Sequence, residues 1–147
     1  MNVKKILDVK GQDVFTVGPD MPMRAFANMV ASKKVGAAPV TDAAGKLVGV
    51  ISERDIVGGF DAHGETLTEK SVADLMTKSV ISCTSDASIA DVTELMHKHG
   101  IRHITVVDGD DLVGFISIRD VAFNRLTQLE VDNQTLRLMF DDLEAVG

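Results

Sequence analysis

The chain has 147 residues, of which 45% are hydrophobic and 25% charged, with a net charge of -7; this is enough for a compact domain with a real core, and it confines disorder to the tails. The acidic balance argues against a nucleic-acid partner, whose phosphates call for Lys and Arg in excess on one face, and Cys83, the only cysteine, excludes an internal disulfide and fits a reducing compartment. Nowhere do about 18 apolar residues run together, so no membrane-spanning helix is expected, and residues 1–9 lack the apolar run of a secretory signal, which makes the cytoplasm the expected location.

In chain order, residues 14–17 form a short β-prone run, and residues 23–33 follow as a helix with Phe26, Met29 and Val30 on one face. Residues 38–41 and 47–51 read as a hairpin around Asp42-Ala-Ala-Gly45. A helix starts after Ser52, and Gly58-Gly-Phe-Asp-Ala-His-Gly64 reads as a loop leading to a short helix at 72–76. The order then recurs. Residues 80–83 are β-prone, and 89–98 form a helix with Val92, Leu95 and Met96 on one face and a cap at Ser88-x-x-Asp91. Residues 104–107 and 112–116 form a hairpin around Asp108-Gly-Asp-Asp111, and a helix starts after Ser117. That helix runs past the repeat with Val121, Leu126, Leu129, Leu136, Met139, Phe140 and Leu143 spaced roughly at three and four. Such a stripe packs either on a second subunit or back on its own chain, and both readings stay open.

The recurrence is a true internal repeat. At an offset of 66 residues Thr16 falls on Ser82, Asp20 on Asp86, Val40 on Val106 and Asp42 on Asp108. One residue is lost in the turn, after which Leu47-Val-Gly-Val-Ile-Ser-Glu-Arg-Asp55 matches Leu112-Val-Gly-Phe-Ile-Ser-Ile-Arg-Asp120 at seven positions of nine. The period exceeds that of solenoids, so each copy is expected to be a small unit of its own. The fold class is α+β: two tandem β-α-β-β-α modules, at 1–60 and 72–125, with a linker at 61–71 and a C-terminal helical tail at 126–147.

Two segments carry chemistry, Gly49-Val-Ile-Ser-Glu-Arg-Asp55 and Gly114-Phe-Ile-Ser-Ile-Arg-Asp120, each crossing from a strand into a helix. A helix N-terminus offers free N–H groups and partial positive charge to a phosphate, and Ser and Arg add donors. The Asp carboxylate can accept hydrogen bonds from both neighbouring hydroxyls of a ribose. Ser-x-x-Asp is also a plain capping box, but a cap alone does not call for Arg at the third place in both copies. His97, His99 and His103 invite a metal reading, which the two-residue spacing of the first pair on a helix disfavours. No nucleophile is paired with a base, and no metal-ligand spacing or P-loop is present, so no catalysis is expected. A buried, inert thiol is expected at Cys83.

With these motifs, and with Asp8-Val-Lys-Gly11 and Asp74-Leu-Met-Thr77 as lead-ins and Ile101-Arg-His-Ile-Thr-Val-Val-Asp108 before the second hairpin, residues 6–125 resemble the tandem CBS-domain proteins, named for cystathionine beta-synthase. The resemblance implies two modules packed about a pseudo-twofold axis, a Bateman module, with two clefts for AMP, ADP, ATP, NAD(H) or S-adenosylmethionine and no obligatory cofactor. It implies that Ser52, Arg54 and Asp55 share a cleft with Lys78, Ser79, Val80, Arg102 and His103. It joins Ser117, Arg119 and Asp120 to Gln12, Val14, Ala37 and Ala38, with Val50 and Phe115 enclosing the adenine rings. The positions of Arg102 and His103 are held in the first copy by Gly36-Ala37 or Ala37-Ala38, so the Asp55 cleft, with extra cationic donors, is expected to prefer the more phosphorylated ligand. The function implied is regulatory energy sensing as a homodimer acting on an effector protein in trans; the alternative is an interaction or dimerisation module with no obligatory ligand.

Overall fold

The structure is a computed structural model that describes residues 2–11 and 13–146, apart from the side chains of 131, 132, 140 and 142–146. Gln12 of the expected cleft, and the side chains of Phe140 and Leu143 of the expected stripe, therefore lie outside the described residues. The elements are α1 (Val3–Lys10), α2 (Met23–Lys33), β1 (Ala37–Thr41), β2 (Leu47–Ser52), α3 (Glu53–His63), a 3-10 turn (Gly64–Glu69), α4 (Val72–Leu75), β3 (Ser82–Cys83), α5 (Ile89–His99), β4 (His103–Asp108), β5 (Asp111–Ser117) and α6 (Ile118–Val146). Both hairpins are antiparallel and in matching register, Ala37 opposite Ser52 and His103 opposite Ser117, so Ala37 corresponds to His103 and Gly36 to Arg102.

Alternation along the strands sends Ala38, Val40 and Ile51 into one core with Phe26 of α2, and Ile104, Val106 and Ile116 into another with Val92 and Met96 of α5. The expected strand at 14–17 shrinks to a single bridge, Val17 beside Val40. The next residues are Gly18 and Pro19, and a proline offers no N–H to extend a ladder. The glycine-rich segment expected as a loop is also different: residues 58–63 continue α3 as helix. Gly59 is buried, and a Cβ there would lie 2.7 Å from both Leu67 Cδ1 and Leu75 Cδ1. That glycine serves close packing rather than a turn. Gly64, at φ 60°, ends the helix.

The lead-in helices cross over. Helix α1 precedes the first module, yet Val3, Ile6 and Leu7 belong to the core of the second; α4 precedes the second module, yet Val72, Leu75 and Met76 pack on the core of the first. Matching backbone bonds tie them down: Val3 N–H to Ala87 O (3.0 Å) and Lys4 N–H to Ser85 O (2.8 Å) on one side, Val72 N–H to Met21 O (2.8 Å) and Ala73 N–H to Pro19 O (2.9 Å) on the other. A reciprocal exchange of this kind is what a twofold relation between the halves generates. The bonds set Val3 against Val72, an offset of 69 residues, so the lead-ins run three residues out of step with the repeat. Helix α1 has eight residues where α4 has four, and the extra turn carries Lys10.

The glycine shared by both copies of the internal repeat has its reason here. A Cβ on Gly114 would lie 2.5 Å from Leu7 Cδ2, and one on Gly49 would lie 2.6 Å from Met76 Sδ and 2.9 Å from the Thr77 carbonyl oxygen. A flexible side-chain end can move aside, but the Thr77 backbone is held to Val50 by two bonds, at 2.9 and 3.0 Å. Gly49→Ala is accordingly expected to cost about 1–3 kcal/mol of stability by overpacking, and Gly114→Ala distinctly less. Equilibrium urea unfolding of the two variants checks both the loss and its order.

Candidate functional site

Each module presents a helix mouth built alike. The first N–H of α3, from Glu53, is held by the Gly36 carbonyl and that of α6, from Ile118, by the Arg102 carbonyl, both at 2.8 Å, which lashes each helix start to the beginning of the partner strand. At the first mouth the Ser52 N–H donates to Asp55 Oδ2 at 2.8 Å and the Ser52 hydroxyl to the same oxygen at 3.2 Å. At the second, the Ser117 N–H donates to Asp120 Oδ2 at 2.8 Å, and the Asp120 N–H donates to Ser117 Oγ at 3.1 Å. Both Ser-x-x-Asp motifs are therefore capping boxes, and in each the cap aims a carboxylate across the mouth of a helix.

The mouths differ in one cation. The Lys10 ammonium, delivered by the extra turn of α1, donates to Asp120 Oδ2 at 2.8 Å and to the Phe115 carbonyl at 2.7 Å. In the first module the equivalent carbonyl, of Val50, is taken instead by the Thr77 N–H at 2.9 Å. A lysine side chain thus stands where the other copy has a backbone donor, and among the described residues Asp55 is bonded only to its own Ser52. Both side chains of the Lys10 pair remain partly in water, at 42% and 25% exposure, so the pair contributes no more than about 1 kcal/mol and can open readily. Burial pushes the Asp120 carboxyl up, but the Lys10 and Ser117 bonds outweigh it and hold the group below the ordinary Asp range.

Beside this mouth the His103 ring stacks on Phe115, with centroids 5.2 Å apart and planes 14° from parallel, the diagonal arrangement two neighbouring strands allow. The ring also approaches Gly36, where a Cβ would lie 3.9 Å from its Cε1. His103 thus lies beside the residue whose carbonyl caps α3 and within electrostatic reach of Lys10 and Asp120.

A scan against family models matches the CBS domain twice, at residues 6–61 and 72–126. The chain belongs to the CBS-domain family. Among curated relatives, the CBS domain-containing protein YhcV of Bacillus subtilis is 30% identical over 85% of this chain and 88% of its own. Among solved structures, the CBS-domain containing protein ATU1752 from Agrobacterium tumefaciens is 39% identical over 84% of this chain and 92% of its own, with a TM-score of 0.81. Two further similar structures, both 26% identical, hold ligands: the CBS domain pair of protein MJ0100 with 5-methylthioadenosine and S-adenosyl-L-methionine (TM-score 0.72, 86% of this chain and 99% of that one) and CBSX2 with AMP (TM-score 0.68, 78% and 88%).

Within this CBS pair the other expected residues distribute unevenly. An open groove of about 1190 Å3 runs between the turn ends of the two hairpins, and Val14, Lys78 and Val80 line it, whereas Asp55 and Asp120 do not. Ser79, Arg54, Arg102 and Arg119 are exposed, Val50 is half-buried, and Ala37 and Ala38 are buried in the first strand. His103, expected at the Asp55 mouth, stacks on Phe115 and also comes near Gly36 at the start of the first strand, so its ring lies between the two mouths. Lys10 escaped the sequence reading. The signal for it lies in the three-residue slip between the lead-ins, which no residue match reveals. Cys83 is buried, and burial, with Asp108 adding to it, pushes its thiol up to about 11, so it is poorly nucleophilic. Among the described residues no group of three or more potential ligands is placed to hold a metal ion.

Burial first, then Lys10 and Arg102, holds His103 below the ordinary His value of 6.5, with Asp120 opposing. The folded chain then binds fewer protons than the unfolded one as pH falls through that range, so the contribution of this group is intact above 6.5 and is lost progressively below it. Wild-type stability in urea is expected to decline between neutral and mildly acidic pH more steeply than that of His103→Phe, which keeps the ring on Phe115 without the titrating nitrogen.

Proposed function

We propose that this CBS pair is a regulatory module that binds an adenosine-containing ligand at its helix mouths and signals through the rearrangement that binding causes. The observation that carries the reading is the duplicated mouth itself: in both copies Oδ2 of the aspartate is engaged by backbone and cap, and Oδ1 has no bond among the described residues. One anchored oxygen orients the carboxylate; Oδ1 is left to accept a ribose hydroxyl, with Ser, Arg and the helix N-terminus beside it for phosphate. The adenosine ligands of the MJ0100 pair and of CBSX2 support the same ligand class here, and AMP, ADP, ATP and NAD(H) all belong to it.

The ligand at the first mouth meets Ser52, Arg54 and Asp55, with Lys78, Ser79, Val80, Arg102 and His103 supplied by the second module and Val50 against the base. The ligand at the second meets Ser117, Arg119 and Asp120, with Gln12, Val14, Ala37 and Ala38 from the first module and Phe115 against the base. Arg102 biases the first mouth toward the more phosphorylated ligand. At the second, the neighbouring ribose hydroxyl competes with Lys10 for Asp120 Oδ2, so filling it frees the end of α1 and loosens the bond between that lead-in and the second module. That coupling gives a ligand differential affinity for two arrangements of the modules, the requirement for any conformational signal. The module acts in the cytoplasm as a homodimer upon an effector protein; it performs no catalysis.

Titration calorimetry with AMP, ATP and NADH tests this. Asp55→Ala and Asp120→Ala are each expected to remove one site, with affinity there falling at least about tenfold, the value of one lost charge-assisted hydrogen bond. No heat with any of the ligands, and no thermal stabilisation by them, would sink the proposal. Lys10→Ala is expected to strengthen adenosine binding at the Asp120 mouth by up to about fivefold, the release of an exposed ion pair. Equal adenosine affinity in the variant and the wild type would remove Lys10 as competitor while leaving the ligand class untouched.

A further inference from the structure

Helix α6 is far longer than its counterpart, 29 residues against 11 for α3. Its first turns serve the second module: Val121 is buried in that core. Beyond them its apolar side chains lose cover, with Leu126 at 65%, Leu129 at 50% and Leu136 at 54% exposure. A helix in water does not gain from such a stripe unless something buries it.

The spacing says what kind of surface this is. Ala122, Leu126, Leu129, Asn133 and Leu136 follow one another at intervals of four, three, four and three, the heptad alternation of a two-stranded seam, with Leu126 and Asn133 at the a positions and Ala122, Leu129 and Leu136 at d. A lone Asn among leucines destabilises a seam wherever it faces hydrocarbon. It is satisfied when it meets its own counterpart across the axis, which happens only between identical helices in parallel register. The flanking charges agree. Arg125 stands at g and Glu130 at the following e, both exposed, and in a parallel in-register pair the g residue of one helix faces the e residue five places on in the other. Each interface then gains the Arg125–Glu130 attraction twice. An antiparallel pairing satisfies neither the Asn nor this pattern.

We infer that α6 is a dimerisation element: the seam from Ala122 to Leu136 closes on the same seam of a second copy of this chain as a parallel, in-register two-stranded coiled coil. The inference names the surface used by the homodimer proposed above and rests on that reading for its stoichiometry, but not on the nucleotide sites. The seam is short, and short helices are marginal alone. Here each α6 is already ordered at its base by the folded module, which lowers the entropy lost on pairing. Dimerisation is therefore expected to be reversible and to depend on concentration.

Light scattering on the 147-residue chain tests it, alongside ligand-independent thermal unfolding to show that the modules stay folded. The wild type is expected to be a dimer at high micromolar concentration, and Leu129→Glu with Leu136→Glu to make it a monomer without unfolding the modules. Glu130→Arg is expected to weaken the dimer, and the swap Arg125→Glu with Glu130→Arg to restore it. Under oxidation Leu136→Cys is expected to give a disulfide-linked dimer through that residue, while Gln134→Cys, on the outer face, is not. A dimer that survives the double glutamate change would overturn the coiled coil while leaving the homodimer standing, with its interface elsewhere. A wild-type chain that stays monomeric would overturn both, and a Leu136→Cys chain that dimerises without cross-linking would overturn the parallel register.

Discussion

Everything in this molecule depends on two short helices packing on the module they do not precede. Each module lacks a cover for one side of its core, and the lead-in of the other supplies it, so neither half buries its apolar surface without its partner. The exchange demands close approach over the second strand of each hairpin, and the bare α-carbons of Gly49 and Gly114 provide it. Two modules bound this way form one reciprocal unit in which moving a lead-in relative to the opposite module alters both halves at once.

The symmetry of that unit is imperfect where it matters for function. One extra turn on α1 puts an ammonium group between a carboxylate and a carbonyl that the first module handles with backbone alone. The two mouths are alike in their caps and unlike in their charge. One presents Asp55 as a single anion held by its serine; the other presents a neutralised pair beside a stacked imidazole. At both mouths the cap bonds the aspartate through Oδ2.

Much of the fold was legible in the residues. The 66-residue repeat, both hairpins, the capped helix after Ser88 and the starts of α3 and α6 all follow from local rules: period two in strands, period 3.6 in helices, Asp and Gly in the turns. Reading failed where a local cue had a distant cause. Gly58 and Gly59 look like a linker, yet α3 runs through them; Leu67 and Leu75 leave no room for a side chain at Gly59, so that glycine answers to packing and not to a turn. The β-prone run ending at Val17 forms only one bridge because Gly18 and Pro19 cut the ladder short.

By itself the sequence determined that there are two similar modules, where each helix mouth lies, and that Ser, Arg and Asp share it, since all of these are set by neighbours within a few residues. Only the tertiary structure decided which module each lead-in covers, why the repeat keeps its bare glycine, and that Lys10 meets Asp120 across 110 residues of chain. Contacts of that range depend on how the crossing helices are phased. A slip of three residues between the lead-ins, one turn of helix, moves a charge into the site or out of it, and no pattern within either copy records that slip.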